Sequence, residues 1–112
     1  MSNVYKNIQA KITSAGSYDD MYETPEETTS IVKTINLYNS HGSNLDVTVT
    51  IYDNSSTTSF DYQIITVDAS NSVDLLTFNN VLVLEAGDKI QLQASQANVI
   101  TMTAAVLQTS RT

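Results

Sequence analysis

The sequence has 112 residues, no cysteine and a formal net charge of −7. This length predicts a single domain, residues 1–112, with a core of its own, and the lack of cysteine excludes disulfides and thiolate metal sites. The acidic charge repels nucleic-acid phosphates and anionic lipids, so neither nucleic acid nor a membrane is an expected partner.

Polar uncharged side chains are expected to cover much of the surface, because only 15% of the residues are charged, against roughly 25% in an average soluble domain. Such a composition suits strands and turns, and it suits a surface that meets other protein copies. The N-terminus lacks the apolar core of a signal peptide, and no apolar run approaches the ~18 residues of a membrane span. We therefore expect synthesis in a cytoplasm, with retention there or release by lysis.

The first segment, residues 4–12, predicts an edge strand or an N-terminal arm (residues 1–12). Lys6 and Lys11 are suited to blunting an exposed edge. The apolar spacing is irregular, so we hypothesise that the segment adds to an adjacent subunit and that its lysines meet acidic loops such as residues 19–27. Residues 13–20 predict a loop that pivots at Gly16.

A short extended piece is expected over residues 21–25, because proline pushes its predecessor towards extended geometry. Thr24 and Glu27 fit a capping box for one helical turn. The run that follows does not continue a helical pattern, so residues 25–28 are interpreted as a loop.

Residues 30–38 predict a strand in which Ile35 and Leu37 point to the core. On this face Lys33 has to extend along the surface near an edge to reach water. The strict alternation gives the two faces Ile31, Lys33, Ile35, Leu37 and Val32, Thr34, Asn36, Tyr38. Residues 39–44 form a turn cluster.

The clearest alternation lies in residues 45–52, where Leu45, Val47, Val49 and Ile51 point inward. Residues 53–57 are predicted to close a hairpin with a return strand over residues 59–67. In that return strand Phe60, Tyr62 and Ile64 share one face, and Ile65 and Val67 share the other. The change of phase near Ile64 predicts a bulge or burial of both faces.

Residues 73–78 predict a short strand with Val73, Leu75 and Phe78 in the core. Residues 81–106 contain three apolar runs joined by two turns, which we interpret as hairpins. Gly87 is placed in the first turn because it tolerates positive φ. Residues 109–112 are expected to be a polar tail.

Taken together, these patterns predict about eight strands, spaced by 8–12 residues, and no convincing helix. This spacing predicts an all-β, antiparallel β-sandwich, either jelly-roll-like or immunoglobulin-like.

No catalytic, cofactor-binding or metal-binding residue is predicted. His41, the only histidine, lies in a turn and is expected to be an exposed loop residue. The acidic residues between 19 and 27 match no calcium loop. Glu85 and Asp88 are interpreted as turn residues that satisfy local backbone donors.

The candidate interface residues are the exposed aromatic and basic side chains. Tyr38 and Tyr52 are predicted to point outward on strands that pair, as a small stacking patch or, with greater weight, as a subunit contact. The complete candidate set is Tyr5, Lys6, Lys11, Tyr38 and Tyr52.

Four segments carry a family resemblance. They are MYETP (residues 21–25), TSIVKTINLYN (residues 29–39), VTIYD (residues 49–53) and LEAGDKIQLQAS (residues 84–95). In this order they resemble small β-sandwich structural proteins in the virions of tailed bacteriophages, especially marine phages and cyanophages.

The resemblance implies a non-enzymatic structural subunit made in the host cytoplasm and located in the virion. It points first to a capsid decoration, or cement, protein that stabilises the head. Neck, tail or fibre components and receptor- or glycan-binding modules are alternatives. The implied partners are other copies of the chain, as a homo-oligomer, and other virion proteins such as major capsid or neck and tail proteins.

Overall fold

The chain forms two antiparallel sheets in a computed structural model that describes residues 2–76 and 81–110. Nine strands are present in these residues: β1 Ser2–Lys11, β2 Asp19–Glu23, β3 Thr28–Asn39, β4 Leu45–Asp53, β5 Thr58–Val67, β6 Asn71–Asp74, β7 Leu82–Leu84, β8 Lys89–Gln93 and β9 Ile100–Ser110. The first sheet has the order β1-β9-β3-β6, with β7 also paired to β3, and the second has the order β2-β8-β4-β5.

The strand order is that of a jelly roll. β6 pairs with residues 36–39 of β3 and β7 with residues 30–32, so these two short strands occupy one position in the sheet. Counted as one strand, they give the orders 1-8-3-6 and 2-7-4-5, two facing four-stranded sheets with two Greek keys. This order distinguishes the jelly roll from an immunoglobulin-like sandwich, whose seven strands split four and three.

The predicted hairpins over residues 81–106 are wrong. β7 and β9 both pair with β3 in the first sheet, whereas β8 lies between β2 and β4 in the second. The turns after β7 and after β8 therefore carry the chain between sheets. Gly87 does have positive φ (+84°), as expected.

The core lies between the sheets and is aliphatic. Its fully enclosed residues include Val32, Leu37, Val47, Val49 and Met102. The alternation predicted for β4 is confirmed for Leu45, Val47 and Val49, which are buried, while Ile51 is half-buried at the core margin. Residues in register across β4 and β8 share a face, so Leu92 and Ile90 join this layer.

β3 departs from the predicted alternation at Lys33. The register with β9 shifts between Val32 and Thr34, which leaves Lys33 as an extra residue. Buried positions fall on residues 28, 30 and 32 before this bulge and on residues 35, 37 and 39 after it. The bulge places Val32 in the core and Lys33 in water, and so Ile31 does not share a face with Ile35 and Leu37.

Two further strands differ from expectation. A bulge does occur in β5, but at Tyr62, since Gln63 pairs with Val49 and Asp61 with Thr50. The alternative prediction, that both faces of β5 are buried, is wrong, because residues 58–64 are all exposed. The polar tail was expected from residue 109, but β9 extends to Ser110. Residues 1, 77–80, 111 and 112 lie outside the described residues, and so does the predicted core role of Phe78.

Candidate interaction surfaces

β1 is an edge strand of the chain's own first sheet, paired with β9 along its whole length. Its candidate residues Tyr5, Lys6 and Lys11 are all exposed, and 72% of the Tyr5 surface is accessible. Among the described residues, the ion pairs do not involve Lys6 or Lys11. β1 therefore ends the chain's own first sheet, and the proposed contact between these lysines and acidic loops of another copy stays a prediction.

An apolar row crosses the outer face of the first sheet at the level of Tyr5. Tyr5 pairs with Leu107, Leu107 with Ile31, and Ile31 with Val83, and residues opposite one another share a face. Leu107 and Ile31 are half-buried, and Tyr5 and Val83 are exposed. The Nζ of Lys33 lies 5.7 Å from the centre of the Tyr5 ring, within the range of a cation–π contact.

Tyr38 and Tyr52 do not form a patch. Tyr38 lies on β3 in the first sheet, and Tyr52 lies on β4 in the second. In register they sit opposite the outward residues Thr101 and Lys89, so the two rings point away from the sandwich in opposite directions. The expectation that their strands pair is wrong, because in a jelly roll the chain changes sheets between β3 and β4.

The outer face of the second sheet has a connected polar row around Tyr52. Lys89 lies 3.3 Å from Asp20 Oδ2 and 5.2 Å from the centre of the Tyr52 ring. Gln91 Nε2 donates to the other oxygen of Asp20 at 2.8 Å, and its own oxygen accepts from Ser59 at 3.1 Å. The hydrogen bond to Asp20, followed by the charge of that residue, raises the pKa of Lys89. The polar groups of this row therefore have partners within the row itself.

β5 presents an exposed apolar edge that was not among the candidates. It terminates the second sheet, and Phe60, Tyr62 and Ile64 have 54%, 43% and 69% of their surface accessible. Within the sequence this stretch has the composition of a core strand. The signal that could have found it is Asp61, a charge between two aromatic residues.

The acidic and histidine side chains serve the local loops. Asp19 accepts hydrogen bonds from the backbone N–H of Thr13 and of Ser14, and the bond from Thr13 is the main cause of its lowered pKa. His41 Nδ1 accepts from the backbone N–H of Ser43 at 3.1 Å. Asp88 accepts from the backbone N–H of Glu85 at 2.9 Å, which confirms the interpretation as a turn.

Within the described ranges, no group of three or more histidine and carboxylate side chains is arranged to hold a metal ion. The same residues contain no helix long and apolar enough to cross a membrane.

The fold defines this chain as a jelly-roll β-sandwich, and solved structures share it. Over 99% of this chain and 90% of the other, it is similar to a chain from Bacillus endospore appendages, described as a family of disulfide-linked pili, with a TM-score of 0.60 and 13% identity. Over 96% and 79%, it is similar to a chain of the virus-like particle of the giant freshwater prawn Macrobrachium rosenbergii extra small virus, with a TM-score of 0.54 and 13% identity.

At 13% identity these similarities show the fold alone. No protein-family model matches the sequence, and the comparison with curated proteins finds no match.

Proposed function

We propose that this chain is a non-enzymatic structural subunit that assembles with copies of itself, and that its place is the virion of a tailed bacteriophage, as a decoration protein that stabilises the head. The observation that carries the assembly role is the coexistence of a well-packed core with two uncovered apolar surfaces. These are the row formed by Tyr5, Leu107, Ile31 and Val83, and the edge formed by Phe60, Tyr62 and Ile64. Large apolar side chains left exposed beside one another on an outer face, or along the free edge of a sheet, mark interaction sites.

The assemblies that contain the structural neighbours support the same role. One neighbour comes from pili and the other from a virus-like particle, and both are repetitive assemblies. This sequence has no cysteine, so its copies would join without the disulfides that link the pili. Many weak contacts between copies in a symmetric shell can still hold together, because linked contacts raise the effective concentration of each one.

The position on a phage head rests on the resemblance of the four sequence segments to virion proteins. A filament or tail-fibre subunit is the second candidate, and the similarity to the pilus chain over 99% of this chain favours it. A glycan-binding role has no such support, since Tyr38 and Tyr52 lie on opposite sheets.

Two measurements test the proposal. Sedimentation velocity of the purified chain over a wide concentration range is expected to show concentration-dependent association. Mass spectrometry of heads and tails separated from particles that carry the protein is expected to find it with the heads. A chain that stays monomeric at the highest concentration, and is absent from purified particles, would overturn the proposal. Its recovery with the tails would transfer the role to the second candidate.

A further inference from the structure

We propose that the edge of β5 is the docking surface for the β1 edge of a second copy of this chain. The inference rests on the proposed self-assembly and adds the two surfaces that meet. The contact is heterologous, because it joins two different edges, and it repeats from copy to copy.

The β5 edge is the less protected of the two. Seven consecutive residues, 58–64, are exposed, and three of them carry large apolar side chains. Soluble proteins blunt their edge strands with lysine, proline or bulges. On β5 these devices are limited to the bulge at Tyr62 and the single charge of Asp61, and the apolar side chains remain in water.

Charge identifies the partner edge. Asp61 and Asp68 are exposed on and just beyond β5, and neither takes part in an ion pair among the described residues. On β1, the exposed charges are Lys6 and Lys11, which are likewise unpaired in the described part of the chain. The neighbouring acidic residues Asp20 and Glu23 on β2 are already engaged by Lys89.

The same charges disfavour the symmetric alternatives. Two β1 edges in contact would bring lysines together, and two β5 edges would bring aspartates together. Like charges across an interface repel and suppress the contact, whereas opposite charges steer the encounter and set its register. Only the pairing of β1 with β5 matches the signs.

The apolar groups and the shape of the sandwich fit this pairing. Val4 and Tyr5 are exposed on β1 and offer apolar partners to Phe60, Tyr62 and Ile64. β1 lies beside β2, and β5 lies beside β6, so the two edges belong to opposite lateral sides of the molecule. Repetition of the contact therefore builds a row of subunits, which closes into a ring if the rotation per step permits.

Charge reversal tests the contact. We expect Asp61→Lys, and separately the pair Lys6→Glu with Lys11→Glu, to weaken self-association at least about tenfold in sedimentation velocity. An equimolar mixture of the two variants is expected to regain association, because each reversed edge then meets its complement. Glu26→Lys is the matched control, since Glu26 is exposed in the turn before β3 and belongs to neither edge strand. Circular dichroism verifies the fold of each variant, and Asp61→Asn with Lys6→Gln replaces any that misfolds.

The outcomes separate the two proposals. If the unmodified chain is monomeric, the proposed self-assembly fails, and the docking surface fails with it. If the unmodified chain associates and the edge variants behave like Glu26→Lys, only the docking surface is overturned. Weakened association that the mixture does not restore also overturns the pairing of β1 with β5.

The lack of cysteine permits a direct test of which edges meet. Single cysteines are placed at Asn7 on β1 and, in separate chains, at each position from 59 to 65 on β5. Under mild oxidation of mixed variants, we expect a disulfide between Asn7→Cys and at least one β5 variant to form faster than either symmetric disulfide. Faster formation of a symmetric disulfide would overturn the heterologous contact.

Discussion

Asn39 and Val67 join the two sheets at one end of the sandwich. The Nδ2 of Asn39, at the end of β3, donates to the carbonyl oxygen of Val67, at the end of β5, over 3.0 Å. The same nitrogen donates to the carbonyl of Ser43, and the Oδ1 accepts from the backbone N–H of His41. Asn39 has no accessible surface, so one buried amide satisfies three backbone groups.

We predict that Asn39→Leu destabilises the fold. The substitution leaves the buried carbonyl of Val67 without this donor, and an unsatisfied buried polar group costs about 1–3 kcal/mol. Urea denaturation followed by circular dichroism measures the change. Asn7→Leu, at an exposed position of β1, is the control and should have little effect. Equal stability of the two variants would contradict a structural role for Asn39.

Gly87 is predicted to tolerate no side chain. Its φ is +84°, and a Cβ at this position would lie 2.5 Å from Nδ2 of Asn54. Gly87→Val therefore combines backbone strain with a clash, and we expect a lower melting temperature. Gly42→Ala is the control, because nothing lies within 4 Å of its Cβ position. A melting temperature of Gly87→Val equal to that of Gly42→Ala would show that a side chain at residue 87 causes neither backbone strain nor a clash.

Val49→Asp is predicted to prevent folding. Val49 is fully enclosed in the core, and an unpaired buried carboxylate costs several kcal/mol, against a total stability of roughly 5–15 kcal/mol. Val83→Asp makes the same chemical change at an exposed position and should leave the monomer folded. A soluble, folded Val49→Asp variant with an unchanged melting temperature would show that β4 is not a core strand.

Acid is predicted to loosen the loop between β1 and β2. Hydrogen bonds from Thr13 lower the pKa of Asp19 in the folded chain, so the ionised carboxylate stabilises the loop. This contribution is present above the unfolded pKa of Asp19 and is lost as the pH falls through the lower folded pKa. Amide chemical shifts of Thr13 and Ser14 in an NMR titration should report it. Asp19→Asn should lack that acid transition, and its persistence in this variant would assign it to another group.

Deletion of residues 1–12 is predicted to unfold the domain rather than to release a folded monomer. Ile12 is completely buried, and Ile8 and Ala10 pack against the core. Loss of β1 exposes this surface and the edge of β9. The exposed residues provide the control, since Lys6→Ser with Lys11→Ser should retain the melting temperature. A folded, soluble product of the deletion would show that residues 1–12 act as an arm.

The sequence predicts where the strands lie better than it predicts which strands pair with one another. In β4 the period of two is uninterrupted for Leu45, Val47 and Val49, and both burial and register follow from it. Turn residues such as Gly87 predict where the chain reverses but not which sheet receives the next strand. The hairpin interpretation of residues 81–106 failed for this reason.

The same contrast between local pattern and long-range pairing applies to the candidate interface residues. The exposure of Tyr5, Lys6 and Lys11 could be inferred from their edge-strand pattern. The separation of Tyr38 from Tyr52 depends on the order of the sheets, which is set by long-range pairing. The exposure of Phe60 and Ile64 was missed because a terminal strand and a central strand can have the same apolar composition, and the charge of Asp61 is the only local signal of a terminal position.

The extra residue at Lys33 sets the spacing between the two halves of β3. Val32 and Ile35 lie three positions apart, and both face the core only because the bulge takes up the odd residue. A chain that lacks Lys33 brings them two positions apart, so an unbroken pleat points both inward with Thr34 between them. Such a chain keeps its core and loses instead the bend that the bulge gives to β3 and the contact between Lys33 and Tyr5.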